Sequence, residues 1–506
     1  MATTRNLASK KWNLALAVML ILSIVIAGCS SGPESADNNP PAAPNGGGEE
    51  TNATAEDPLE PVKLRWYLRQ AEPNNAQSVL ARFNEMVEAK INATVEFIFV
   101  NPADYDSKMQ LAMSSGEAYD LAFTSAWSNN YQNNVSKGAY VALDEYLEKL
   151  PNLKGMFRSE IWDAVRMDGQ IYGIPNKQIM NNQQGYWFQK ALLDKHQLDV
   201  SGIAKLEDLE PVLQTIKDNE PEVYPAREGI FYTFTEFNPL VVQFHNSDGV
   251  RVDAETLKVI DDSELLLERF KLLRDWNQKG FFPPDVATLK NQNELIQAGK
   301  IFSMYSRQKP GNEAEIQKNF GIDVEVIAAG EPVIQQSSVQ SSLTAVSTSS
   351  DNPERALMLL DLLNSDKEIY NTLVFGLEGQ DYTKVSDERI EPIAGGYYVT
   401  NWMVGNVFNS YLIPGQADDV WQATEQMDEE AIIDPLIGFV FDRTPVQNEI
   451  ARCIATSKEF IPILQNGLDD AEKVFAEYQQ KMKASGIELV KEEVERQLAE
   501  WKATQG

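Results

Sequence analysis

Three observations predict an α/β protein whose sheets are mostly parallel and flanked by helices. Between residues 62 and 124, stretches of two-residue apolar alternation trade places with stretches of helical spacing, which is the order of strand–helix–strand units. A hydrophobic share of 43% with 24% charged residues is that of an ordinary globular chain, so a large core can form. Two cysteines in 506 residues exclude a disulfide-stapled scaffold and leave burial to hold the chain together.

The elements follow in order. Arg5, Lys10 and Lys11 precede an apolar run from Leu14 to Ile26. The run falls short of the roughly 20 apolar residues that a membrane crossing needs, and it ends in small residues, the pattern of a secretory signal. Residues 30 to about 60 hold Pro, Gly, Asn, Ser and acids and little else, so they read as a disordered tether. Val62, Leu64 and Trp66 alternate with Lys63 and Arg65 as a strand does. A helix is expected from Asn75 to Lys90, with Val79, Leu80, Phe83, Met86 and Val87 on one stripe. Val95, Phe97 and Phe99 alternate again, and Asp120–Thr124 makes another short strand. Ligands of parallel sheets bind at the carboxyl ends of the strands, which points to the residues after Phe123.

Gly169–Pro175 reads as a strand leaving this first region, and Gly185–Leu193 opens a second. A helix over Glu264–Gln278 is stopped by Gly280 and Pro283-Pro284. Another starts at Pro353 behind Asn352 as N-cap, with Leu357, Leu360 and Leu363 on one face. The last helix carries Ile487, Val490, Val494, Leu498 and Trp501 at helical spacing. No 20- to 50-residue repeat is present.

Charge and composition exclude several functions. With 44 basic and 75 acidic residues the net charge is −31, and loss of Arg5, Lys10 and Lys11 with the signal makes it −34. Such a field repels nucleic acid, so no nucleic-acid partner is expected. Only His196 and His245 are present, so a histidine-rich zinc site is out of reach, and neither a metal nor a cofactor is expected. The one Gly-x-Ser-x-Gly match, Gly28–Gly32, sits at the signal's end, and no His-Glu-x-x-His, Cys-x-x-Cys, P-loop or dinucleotide fingerprint occurs. The expectation is a protein that is not an enzyme. Two carboxylates of a glycoside hydrolase are not excluded by spacing alone among 75 acids.

Ile26-Ala27-Gly28-Cys29 resembles the bacterial lipobox. That resemblance implies removal of residues 1–28, diacylation of Cys29 and anchorage on the extracytoplasmic face of the cell membrane. Cys453 is then left without a partner. Further landmarks resemble the extracellular solute-binding proteins of ABC importers, in the group for sugars and oligosaccharides. They are Asp120–Trp127 with Gly138–Asp144, Ile171–Pro175, Gln297–Met304 and Asn352–Leu357, in that order. Gly376–Tyr382, Phe441–Pro445 and Gln497–Trp501 resemble the C-terminal extension of a large Gram-positive lipoprotein subgroup, with Gln380-Asp381 standing where that subgroup usually has Lys-His.

The resemblance implies a type II, periplasmic-binding-protein-like fold of two lobes joined by hinge strands. Lobe 1 is expected over 62–176 and 324–349, and lobe 2 over 177–323 and 350–506 with its helical extension. It also implies a sugar or oligosaccharide ligand and ABC permease partners, with the chain a monomer. By family position the first-lobe ligand residues are Ser125, Trp127 and Asn129. The second-lobe set is Tyr186, Tyr232, Phe237, Tyr305, Arg307, Trp402 and Phe441. Sugar rings need flat apolar faces, and hydroxyls need amide, carboxylate or guanidinium partners. The alternative for each aromatic is packing in a core, to which Trp66, Trp162, Trp276 and Trp501 are assigned by their regular spacing. Oligopeptides or another small polar solute are the alternative ligands, and a surface adhesin is the alternative class.

Overall fold

The computed structural model describes residues 59–229, 237–246, 248–289 and 292–504. Cys29 and Tyr232 therefore lie outside the described residues. Strand β1 (Val62–Leu68) buries Leu64, Trp66 and Leu68 and leaves Lys63 outside, 2.9 Å from Glu96. Helix α1 (Ala76–Ile91) buries Val79, Phe83 and Val87 at four-residue spacing, each contributing about 2 kcal/mol of apolar burial. Asn92, with φ 47°, ends it and turns the chain into β2 (Ala93–Phe99), a left-handed position that asparagine tolerates. β2 runs parallel to β1 from Val62↔Ala93 to Leu68↔Phe99, and Trp66 stacks on Phe97 with centroids 5.5 Å apart. After α2 (Tyr105–Ser115), β3 (Leu121–Thr124) lies parallel to β1 on its other side.

Two distant strands complete this first sheet. Leu343–Val346 pairs antiparallel with β3, and Ile174–Pro175 pairs antiparallel with Leu343–Val346. The carboxyl ends of β1, β3 and Ile174–Pro175 and the start of Leu343–Val346 thus share one edge.

The second sheet is organised around Asn181–Gln189, which buries Tyr186 and Phe188 in one core cluster and Trp187 in another on the opposite face. Against it lie Ile301–Gln308, Val324–Ala328 and Val333–Ile334, all antiparallel. Among the described residues only the pairs of Ile301–Gln308 with Tyr224–Ala226 and of Val333–Ile334 with Ile432–Ile433 are parallel in this sheet. The expectation of a mostly parallel sheet in each half therefore needs correcting for this one. The reason is topological: Asn181–Gln189 leads away from the first sheet, and the strands that bring the chain back must run against it. Val324–Ala328 approaches so closely that a Cβ on Gly185 would stand 2.1 Å from the Ile327 carbonyl, so only glycine fits there.

The two main hydrophobic clusters redraw the expected boundaries. Residues 324–334 pair in the second sheet, so the return to the first half falls at Leu343 rather than residue 324. Helices Pro353–Ser365 and Lys367–Phe375 and residues Val399 to Val404 bury their side chains in the first cluster. The expected placement of 350–506 in the second half is corrected for this stretch. Leucine-rich helix faces cover whichever sheet the preceding strand has just joined, and here that is the first. Asn352 precedes Pro353 as expected but makes no side-chain cap bond. Helices Gln447–Gln465, Ala471–Ser485 and Ile487–Thr504 close the second cluster around buried, free Cys453. Trp66, Trp162 and Trp276 are buried, and Trp501 packs on Phe439 at 5.5 Å.

Candidate functional site

The chain passes between the halves three times, at 176–181, at 335–342 and between Val404 and Ile432. One amide ties all three neighbourhoods together. Asn176 Nδ2 donates to Ser342 Oγ and to the Met403 carbonyl, both at 2.9 Å, while Thr344 Oγ1 donates to Asn176 Oδ1. Beside it, Asp428 accepts the Met180 and Asn181 backbone N–H groups at 3.0 and 2.8 Å and the Asn181 amide at 2.7 Å. Burial pushes the Asp428 carboxyl up, against these same donors.

The first sheet presents its carboxyl edge to this hinge. Trp127 follows β3 and is half exposed, at 50%. Its indole is nonetheless fixed: Nε1 donates to the Ser341 carbonyl at 2.8 Å, and the ring contacts Phe123 and Trp402 at centroid distances of 5.9 and 6.2 Å. The Arg69 guanidinium lies 4.7 Å from its centre. Gln70, next along from β1, donates to the Tyr398 carbonyl and accepts from the Thr400 N–H and hydroxyl, each at 2.8 Å. That grip sets the turn bearing Trp402 and leaves Tyr398 at 46% exposure.

Ser125 and Asn129 shape the loop rather than line it. Ser125 is buried, its hydroxyl accepting the Ser128 N–H at 2.9 Å and donating to the Ser128 carbonyl. Asn129, buried with φ 46°, donates to the Phe123 carbonyl and to the Tyr140 hydroxyl. Trp402, expected on the second half, instead packs on Phe123 and Trp127 of the first, because residues 353–404 belong to that core.

On the second half, Tyr186 and Tyr305 meet edge to face at 5.5 Å and pack into the core. Burial drives the Tyr305 hydroxyl above the usual phenol range. Arg307 is exposed, with its guanidinium tied to the Asn181 carbonyl; partial desolvation lowers it from the ordinary arginine value while Asp428 opposes. Phe441 packs against the second cluster and Phe237 is half-buried. Next to the hinge, Asn182 and Gln184 share one face of the strand, Gln184 Nε2 donating to Asn182 Oδ1 at 2.5 Å, while Gln183 on the other face donates to the Gly330 carbonyl at 3.1 Å. Along the flank, a cavity of about 750 Å³ separates Glu313 and Gln317 from Pro392, Ile413 and Pro414, so the halves are not sealed together there. Among the described residues no group of three or more His, Cys, Asp or Glu could hold a metal, and no helix is long and apolar enough to cross a membrane.

Sequence reasoning passed over Arg69, Gln70 and Tyr398. Arg69 and Gln70 had a signal, since they follow an alternating strand at the same carboxyl edge as Trp127. Tyr398 had none, because nothing local marks a loop that folds back over 300 residues.

Two cores joined by three crossings, with an aromatic platform on the edge between them, define a two-lobed cleft-binding protein. Residues 78–374 match the family described as bacterial extracellular solute-binding protein, and the chain belongs to it. Residues 435–503 match a domain of unknown function. Over 452 residues the chain is 27% identical to a carbohydrate ABC transporter substrate-binding protein of Streptococcus pneumoniae serotype 4, covering 87% of this chain and 90% of that one. The crystal structure of an N-glycan transport solute-binding protein from Streptococcus pneumoniae matches at TM-score 0.78 and 27% identity, covering 88% of this chain and all of that one. The same protein in complex with Man5GlcNAc, again at 27% identity and covering 88% of this chain and 100% of that chain, matches at TM-score 0.62.

Proposed function

We propose that this chain is a lipid-anchored receptor that captures a neutral oligosaccharide between its two halves and delivers it to an ABC importer. The observation that carries the reading is the Trp127–Trp402 pair, held in place from behind and left open at the strand edge between the halves. A rigid, half-exposed indole suits the C–H face of a pyranose, and the amides of Asn182 and Gln184 supply partners for hydroxyls. The names and ligand of the pneumococcal relatives support the sugar class. The drop in overlap to their glycan-bound form is what a change in lobe arrangement produces.

In this reading lobe 1 comprises 62–176 and 343–404 and lobe 2 comprises 182–334 and 432–504, with Cys29 holding the receptor outside the membrane as a monomer. Permease subunits then dock on the closed form. Titrating the purified chain with Man5GlcNAc and other oligosaccharides tests this. Saturable binding that Trp127→Ala weakens supports it, and binding indifferent to Trp127 counts against the cleft. Loss of radiolabelled palmitate incorporation in a Cys29→Ala chain supports the anchor, and unchanged incorporation counts against it.

A further inference from the structure

We infer that Arg69 is a ligand-reading residue whose guanidinium fork takes two adjacent hydroxyls of the sugar held at Trp127. The inference rests on the oligosaccharide reading above. Arg69 stands one residue beyond β1, at the carboxyl edge that carries Trp127. It is half-buried, and its Nε is shut off from water without a hydrogen-bond partner. The only interaction of its side chain among the described residues is the 4.7 Å stacking on Trp127.

That isolation is unusual for this chain. Arg65, four residues earlier on the same strand, engages Glu117 and the Ala118 carbonyl. Arg355 donates to the Ile91, Asn92 and Glu60 carbonyls, and Arg166 reaches Asp144 at 2.8 Å. With 75 acidic residues available, a guanidinium left without a carboxylate beside the most exposed aromatic of the cleft keeps its donors in reserve. Its planar fork presents parallel N–H groups at a spacing that suits two neighbouring oxygens, which a lysine ammonium cannot copy. The net charge of −31 disfavours an anionic ligand, so the match is to a vicinal diol of a neutral pyranose.

The test titrates the full chain with Man5GlcNAc and compares it with Arg69→Lys, which keeps the charge, and Arg69→Met, which keeps the stem over Trp127. Melting of each chain without glycan is recorded alongside. The inference expects both variants to lose about tenfold or more in affinity, with melting temperatures equal to or above that of the wild type. Wild-type affinity in both variants overturns it. If the wild type itself does not bind Man5GlcNAc, the oligosaccharide reading fails for this glycan and melting decides the role of Arg69. An Arg69→Met chain that melts lower shows that the guanidinium is there for stability and overturns the inference; one that melts equally or higher supports it.

Discussion

The two walls of the cleft use aromatic residues in opposite ways. On the first wall, Trp127 is pinned by a hydrogen bond at its back and left half open, with Trp402 and Arg69 beside it. On the second, Tyr186 is buried, Tyr305 is partly buried against the same core, and amides stand next to the hinge. Under the proposed function the first wall gives a preformed stacking platform with the Arg69 guanidinium against it, and the second adds amide partners for hydroxyls as the halves approach.

That contrast can be broken by substitution. Tyr186→Ala should cost about 3 kcal/mol of stability, as truncation of a buried aromatic does, while affinity stays within about twofold. Urea unfolding alongside glycan titration checks both, and a selective loss of affinity would move the stacking surface to the second wall. Asp428→Ala strips three donors of their acceptor between the walls and should cost about 2 kcal/mol by the same unfolding assay. An unchanged midpoint would show that this carboxylate does not hold the hinge. Trp127→Ala should do the reverse of Tyr186→Ala: at least about tenfold in affinity, or about 1.4 kcal/mol, with little change in melting temperature.

The smallest effect concerns pH. Asp434 follows the strand Ile432–Ile433 at the third crossing, and burial raises its carboxyl to about 6, with the Leu436 N–H and Gln335 opposing. The folded value exceeds the unfolded one, near 3.9, so the folded state holds the proton more tightly. Its stabilising contribution is full below pH ~4 and is lost as pH rises through about 6. Asp434→Asn should therefore exceed the wild type at pH 7 by about 1 kcal/mol or more and lose that advantage by pH ~4.5. Melting curves at the two pH values check it; an advantage that grows on acidification would contradict the sign.

The first wall was readable because its signals are local. Alternation marked β1 and β2, a short apolar run marked β3, and the carboxyl-edge rule pointed to the loop that holds Trp127. The second was less legible for two physical reasons. An exposed and a core tyrosine look alike in sequence, so Tyr186 and Tyr305 carried no mark of their burial. The third crossing also lies in a stretch without strong periodicity, and a leucine stripe such as Leu357–Leu360–Leu363 states that a helix is covered on one face without saying by which sheet. Trp402 was therefore picked out as a ligand residue but assigned to the wrong wall. Ser125 and Asn129 sit where the rule led, yet a loop this tight spends its small polar groups on its own backbone.

The most direct test of capture in the cleft is a thermal-shift screen of the purified chain against Man5GlcNAc, other oligosaccharides, amino acids and peptides. A ligand at 100 times its dissociation constant stabilises the folded form by about 2.7 kcal/mol, enough to move the midpoint visibly. The account predicts that at least one oligosaccharide shifts the wild type, that Trp127→Ala cuts the shift at the same ligand concentration to about half or less, and that peptides leave it unmoved. A shift by peptides alone, or an oligosaccharide shift undiminished in Trp127→Ala, would contradict it.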